Sequence, residues 1–155
     1  MKKQFYNILL AGCIALTDCT KLDETLNGQI SDSEPGAVNA TSLLDGAYIA
    51  IRSPYPGHGG WWALQQTTTD ETITPTRGGD WDDNGAWRAL FLHQWQADHV
   101  RIHDVFRNLN AVSYAATDLL RYNPTPTQAA EARFLRAFAQ FSILDGWGQV
   151  PYREA

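Results

Sequence analysis

Apolar residues recur at helical spacing in three parts of the chain. Each spacing predicts an amphipathic helix, because residues three and four apart lie on one face of a helix. The first helix begins near Asn39, with Thr41 or Ser42 as its cap, and stops at residues 52–54, where Pro54 ends it. The second is five turns long and ends before Asn123. Its apolar stripe consists of Ile102, Val105, Phe106, Leu109, Val112, Ala116, Leu119 and Leu120.

The third helix, capped by Thr127 and stopped near Asp145-Gly146, carries two apolar faces. The two faces carry Phe134, Ala137, Phe138, Phe141 and Leu144 on one side and Leu135, Ala139 and Ile143 on the other. We therefore expect this helix to be packed on two sides, with Phe138 at the centre of the first face. With the second helix it forms a predicted helical hairpin, the unit of tetratricopeptide solenoids, and the Phe138 face has no partner left in the sequence.

The chain between the first two long helices is predicted to be mostly irregular. Residues 53–60 contain two prolines and three glycines, which predict a loop, and a short helix is expected to start at Trp61. Residues 67–98 are rich in Gly, Asp, Trp and Thr and show no sustained period. A long irregular stretch in a compact domain is functional or disordered, and its tryptophans favour order. The predicted fold class is mostly α with long irregular loops.

The N-terminus has the features of a bacterial secretory signal: a basic start and an apolar run, residues 8–16, too short to span a bilayer. Two cysteines compete as lipidation sites. Cys13 follows the small residues typical of a lipobox but leaves a very short apolar run, whereas Cys19 has the better length but follows Asp18. We interpret residues 1–18 as the signal peptide, Cys19 as the lipidated residue, and residues 19–38 as a polar tether.

Charge and composition narrow the classes of function. The net charge of −5 argues against nucleic-acid binding. Both cysteines lie in the first nineteen residues, so the rest of the chain has no disulfide framework and no cysteine-based metal site. Six tryptophans in 155 residues indicate flat apolar contact surfaces in addition to a core.

Two stretches in the last quarter of the chain resemble a known family. Residues 131–141 (EARFLRAFAQF) and 144–151 (LDGWGQVP) are similar to the N-terminal signature of the SusD/RagB family, glycan-binding surface lipoproteins of Bacteroidetes. Other pieces follow in the family's order: Cys19 with the five residues after it, LDGAY at 44–48, TDE at 69–71 and RNLNA at 107–111. Family members are several times longer, so the resemblance assigns residues 39–155 to their N-terminal part. Asp18 departs from the family's pattern.

The resemblance implies binding without catalysis and without a cofactor. SusD-like proteins form lids on a SusC-like TonB-dependent outer-membrane transporter, capture oligosaccharides and hand them inward. Their tetratricopeptide-like helices pack on the transporter and irregular loops bear the sugar site. The location that follows is the outer membrane at the cell surface, through a lipid anchor. Acidic residues after Cys19 resemble the family's surface-export signal, or belong to a solvated tether.

The chemically richest stretch for sugar binding runs from Thr76 to Trp87. A sugar ring has an apolar face that suits a flat aromatic and a rim of hydroxyls that suits Asp, Asn or Arg. We expect Trp81 or Trp87 to stack on a ring. The alternative is that both plug the loop into the core, and for Trp61 and Trp62 the core is favoured. The expected polar contacts are Asp70, Arg77, Asp80, Asp82 and Asn84.

Catalysis and metal binding are the weaker interpretations. Asp70 and Glu71 are adjacent, whereas a glycosidase places two carboxylates across its substrate. His99 and His103 have helical i, i+4 spacing without the glutamate of a zinc protease. The rival functions are therefore a fragment of a carbohydrate-active hydrolase, whose spaced carboxylates are not seen, and a helical protein-interaction scaffold with buried tryptophans.

Arg133 and Arg136 lie near Glu131 on the third helix. We interpret them as a solvated, ion-paired stripe, which contributes little to stability. The alternative is that the two guanidinium groups pack into a helix junction.

Overall fold

A computed structural model of the chain describes residues 39–75, 78 and 83–153. The described part is helical and holds no strand, which confirms the predicted mostly α class. The signal peptide, Cys13, Cys19 and the tether fall in residues 1–38, outside the described residues. None of the described helices has the length and apolarity that crossing a membrane requires. The helices are α1 (Ala40–Ala50), α2 (Trp61–Thr67), α3 (Ala86–Phe91), α4 (Val100–Leu119) and α5 (Pro126–Trp147), with a 3-10 turn at Asp83–Gly85 before α3.

Helix α5 begins at a capping box. The Thr125 side chain accepts a hydrogen bond from the backbone N–H of Gln128, and the Gln128 side chain accepts one from the backbone N–H of Thr125 at 3.0 Å. Pro126 takes the first helical position, where its missing N–H costs nothing. The cap is therefore two residues earlier than the predicted Thr127. The helix ends at Trp147, because Gly148 adopts a left-handed conformation that favours glycine.

Helices α4 and α5 pack antiparallel, and both contribute residues to two core clusters. One cluster joins the end of α4, the start of α5 and α1; its buried members are Leu44, Ala47, Ala116, Leu119, Ala132 and Leu135. The other joins the start of α4 and the end of α5 with α2 and α3; its buried members are Trp61, Ala63, Leu64, Trp87, Leu90, Val105, Leu109 and Ile143. Between the two clusters, the Gln140 side chain donates to the hydroxyl of Ser113 at 3.1 Å.

Only one of the two apolar faces of α5 is covered in the described structure. Leu135, Ala139 and Ile143 are buried, as predicted, and Ala132 is buried beside them. The expectation that the opposite face is packed as well is wrong for the described residues, and Phe138 is 42% exposed. The reason is that α1 and α4 both approach α5 from the side of its small residues, which admits close helix contact. The uncovered side chains are Phe134, Phe138, Phe141 and Leu144.

Helix α3 lies inside the stretch predicted to be irregular. It is six residues long, which is too short for a helical period to appear in the sequence. Asp83, Asn84 and Gly85 all have positive φ and turn the chain into this helix. Asn, Asp and Gly are the residues that adopt this left-handed conformation most readily. Trp87 and Leu90 then become buried in the second core cluster.

Candidate functional site

Helix α2 separates two grooves, because different residues of the helix line each of them. Trp61, Leu64 and Gln65 line one groove, which we call the tryptophan groove. Trp62 and Gln66 line the other, which we call the threonine groove. The helix is held in place by Trp61 and Leu64, which belong to the core. The wall that α2 contributes to each groove is therefore anchored to the packed core.

The floor of the tryptophan groove is a packed pair of indoles. The rings of Trp61 and Trp147 stack with centroids 5.7 Å apart, and Phe106 meets Trp147 edge-on at 5.1 Å. Gly146 allows this arrangement, because a Cβ atom there would lie 2.6 Å from the ring of Trp61. The stretch that resembles the SusD/RagB signature thus has a local physical role, since its glycine makes room for a tryptophan from α2.

Polar groups and a further tryptophan complete the tryptophan groove, which has a volume of about 700 Å³. The side-chain amide of Gln65 donates to the carboxylate of Asp145 at 2.8 Å, which orients both groups. Trp95 is 38% exposed and its ring lies 5.4 Å from that of His93. Gln96 lines the groove beside it. The arrangement offers flat apolar surface next to amide and carboxylate groups, which suits a ligand with both apolar faces and hydroxyls.

The threonine groove is smaller, with a volume of about 330 Å³, and its lining includes Trp87, the last residue of the predicted sugar-binding stretch. Thr72, Ile73, Thr74 and Pro75 line it immediately before that stretch begins. Trp62 lies on its opposite wall with 65% of its side chain exposed. The expectation that Trp61 is a core residue is thus confirmed, whereas Trp62 presents a free indole at the surface.

Trp87 corrects one expectation. The sequence suggested a ring that stacks on sugar, but Trp87 is only 3% exposed and belongs to the second core cluster. The guanidinium of Arg101 lies over its ring, 5.4 Å from the centroid. Arg101 also forms an ion pair with Asp83, which ties the start of the 3-10 turn to α4. With so little of its surface exposed, Trp87 contributes mainly to the core, and it also forms part of the wall of the threonine groove.

The other predicted site residues divide into two sets. Asp70 is exposed in the turn after α2, one residue beyond Thr69, which lines the tryptophan groove. Asn84 is exposed at the 3-10 turn, with φ of +54°. The structure does not bring either of them into the linings of the two grooves. The remaining predicted contacts, which lie outside the described residues, are Arg77, Asp80, Trp81 and Asp82.

Sequence reasoning missed the residues that line the tryptophan groove. Trp95 follows the buried stretch of α3 within a run of polar residues, Gln94-Trp95-Gln96, and an isolated indole among amides is a signal for an exposed aromatic. Gln65 and Asp145 carry no such signal. They are eighty residues apart in the sequence, and only the packing of α2 on the end of α5 brings them together.

The described residues contain no group of three or more His, Cys, Asp or Glu side chains placed to hold a metal ion. The Nε2 atom of His99 lies 3.0 Å from the carbonyl oxygen of Ala86, so this ring joins α4 to α3. Asp70 and Glu71 are both exposed in the turn after α2, where the backbone N–H of Glu71 donates to the Thr69 hydroxyl. Comparison with known proteins found no matching family model, no matching curated protein and no matching solved structure.

Proposed function

We propose that this protein is a cell-surface glycan-binding lipoprotein of the SusD/RagB type, which captures oligosaccharides for a SusC-like TonB-dependent outer-membrane transporter. The observation that carries the proposal is the tryptophan groove, where an exposed indole lies beside oriented amide and carboxylate groups. The resemblance of residues 144–151 to the family signature supports the same assignment, because Asp145, Gly146 and Trp147 all line this groove.

The proposed sugar contacts follow from the chemistry of the groove. The indole of Trp95 offers a flat face to the C–H groups of a pyranose, and Gln65, Gln96 and Asp145 exchange hydrogen bonds with hydroxyls. Water competes for each hydroxyl, so each hydrogen bond contributes only about 0.5–1.5 kcal/mol. Stacking then provides most of the binding energy, and we expect dissociation constants on the order of 10 μM to 1 mM.

The predicted stretch Thr76–Trp87 keeps a part in this proposal. It follows directly on Pro75, at the edge of the threonine groove, where Trp62 is exposed. Arg77, Asp80, Trp81 and Asp82 are proposed to extend the binding face on this side of α2. Asp70 and Asn84 are proposed as outer polar contacts.

The proposal is for binding without hydrolysis. A glycosidase acts with two carboxylates placed across the bond that it cleaves. The described lining of the tryptophan groove has one carboxylate, that of Asp145, and it is occupied by the amide of Gln65. This supports a binding protein over a fragment of a carbohydrate-active hydrolase.

A protein-interaction scaffold is the second candidate, and the uncovered aromatic face of α5 favours it. Phe134 and Phe141 are 65% and 67% exposed, which is unusual for large apolar side chains on one helix. We propose that α4 and α5 form a tetratricopeptide-like unit. In the leading proposal this unit packs on the transporter, and in the second candidate such contacts are its whole function.

Titration calorimetry separates the two candidates. The probes are neutral oligosaccharides of glucose, xylose, mannose and galactose. We expect Trp95→Ala to weaken binding about two- to tenfold, since stacking on one ring contributes roughly 0.5–1.5 kcal/mol. The matched control is Tyr114→Ala, an exposed aromatic side chain that lines neither groove. Saturable binding that Trp95→Ala leaves unchanged, with its circular dichroism intact, removes the tryptophan groove from the site. Absence of binding to every probe favours the scaffold.

Lipidation is tested by metabolic labelling with an alkyne-bearing fatty acid. The wild type is expected to carry the label and Cys19→Ala to lose it. Loss of the label only in Cys13→Ala identifies the other cysteine. If neither the wild type nor the variants carry the label, the proposed lipid anchor is contradicted.

A further inference from the structure

A pocket of about 450 Å³ lies where the α4–α5 turn, the first turns of α5 and the C-terminal segment meet. Arg133 and Arg136 are three residues apart on α5, so both reach the same side of the helix. The guanidinium of Arg136 lies 5.7 Å from the ring centroid of Tyr152, which supports it from one side. Asn123, in the turn, supplies a side-chain amide. We call this the arginine pocket; its lining is Leu120, Asn123, Pro124, Ala129, Arg133, Arg136 and Tyr152.

The described lining of the arginine pocket is rich in hydrogen-bond donors and contains no carboxylate. The expected ion pairing with Glu131 is not found, because Glu131 accepts a hydrogen bond from the Tyr48 hydroxyl at 2.7 Å, toward α1. The described ion pairs, which involve Arg101, Arg107 and Arg121, include neither pocket arginine. Two positive charges therefore share one concave surface of a chain whose net charge is −5.

We infer that the arginine pocket binds a phosphate or sulfate group. A guanidinium presents a planar fork of N–H donors that matches two oxygens of such a group, and two guanidinium groups three residues apart can bind it from two directions. The hydroxyl of Tyr152 and the amide of Asn123 add neutral donors at the rim. The inference does not depend on the sugar site, because none of these residues lines the tryptophan groove.

The test is a titration of the ¹⁵N-labelled protein with sodium phosphate and with sodium sulfate, followed by NMR. Ionic strength is held constant with sodium chloride, so that only specific binding gives saturable shifts. The Arg133→Gln, Arg136→Gln variant is expected to raise the dissociation constant about tenfold or more, the effect of losing charge-assisted hydrogen bonds. The control variant Arg52→Gln, Arg107→Gln removes the same charge from exposed positions elsewhere and is expected to bind like the wild type.

A third variant, Arg133→Lys with Arg136→Lys, keeps both charges but loses the fork geometry, and we expect it to bind more weakly than the wild type. Shifts that grow linearly without saturation, or equal dissociation constants in the two glutamine variants, overturn the inference. Two further probes identify the source of the group. Glucose 6-phosphate binding tighter than inorganic phosphate supports a phosphorylated sugar. Binding to phosphatidylglycerol vesicles and not to phosphatidylcholine vesicles, lost in the Arg133→Gln, Arg136→Gln variant, supports a lipid head group.

Discussion

The two faces of α5 are both apolar in sequence, but in the structure one is buried and the other is exposed. Ile143 is fully buried, whereas the next residue, Leu144, is 51% exposed. The buried face includes Ala132 and Ala139, whose small side chains allow α4 and α1 to approach closely. The exposed face carries large aromatic rings instead. Hydrophobic spacing therefore identifies the residues that can be buried. The packing of the neighbouring helices decides which of these residues are buried.

The largest expected effect is on the buried face. Ile143→Ala removes a side chain from the second core cluster, and we expect it to lower the free energy of unfolding by about 2–5 kcal/mol. The matched control is the adjacent Leu144→Ala, for which a loss below about 1 kcal/mol is expected. Urea denaturation followed by circular dichroism measures both values. Equal losses contradict the assignment of the two faces.

Gly146→Ala tests how α2 is seated on the end of α5. The added methyl group would lie 2.6 Å from the ring of Trp61, so the indole must shift, at an expected cost of about 1–3 kcal/mol. Gly46→Ala is the control, since nothing lies within 4 Å of a Cβ atom there in α1. That change is expected to stabilise the protein by about 0.5–1 kcal/mol, because alanine favours the helix. Opposite signs for the two variants in thermal denaturation are the predicted result, and stabilisation by both contradicts the contact.

Phe138→Ala is expected to cost about 1–2 kcal/mol. This is less than the roughly 3–5 kcal/mol that a fully buried phenylalanine would cost, because the ring is partly exposed. Its ring packs against that of Tyr55, with centroids 4.9 Å apart, and stacks with that of Phe134 at 6.1 Å. Phe141→Ala, at a more exposed position of the same face, is expected to cost less. A loss above about 3 kcal/mol for either variant shows that a partner covers this face in solution.

The smallest expected effect concerns Tyr55, which lies at the border between the two faces. Burial raises the pKa of its hydroxyl, and the hydrogen bond with Ser142 at 2.8 Å opposes this to a lesser degree. Because the pKa is higher in the folded protein, the stabilising contribution is complete below about pH 10 and is lost as the pH rises further. The free energy of unfolding of Tyr55→Phe should therefore fall less between about pH 9 and 11 than that of the wild type. Tyr114→Phe, at an exposed position, is the control, and identical slopes for the two variants contradict the prediction.

The long helices could be predicted from sequence, because periods of several turns are visible in α4 and α5. The short helix α3 could not, since six residues do not establish a period. Burial of neighbouring tryptophans was also beyond the sequence. Trp61 and Trp62 are adjacent in one helix, yet only the first faces the core.

Only the type of the candidate site could be predicted from the sequence. An aromatic and polar loop was the expected form, and Trp95 with Gln96 has that form. Its position could not be predicted, because the groove combines α2, the segment before α4 and the end of α5. The sequence left open whether Trp87 stacks on sugar or packs in the core, and the structure buries it in the second core cluster with the guanidinium of Arg101 over its ring.

The central claim is that the tryptophan groove binds neutral sugar. Its most direct test uses the six indole N–H resonances of the ¹⁵N-labelled protein, assigned by single Trp→Phe variants and followed during titration with the neutral oligosaccharides. We predict saturable shifts for Trp95 and Trp147, which line the tryptophan groove. Saturable shifts confined to Trp62 or Trp81, with Trp95 and Trp147 unchanged, would contradict the claim.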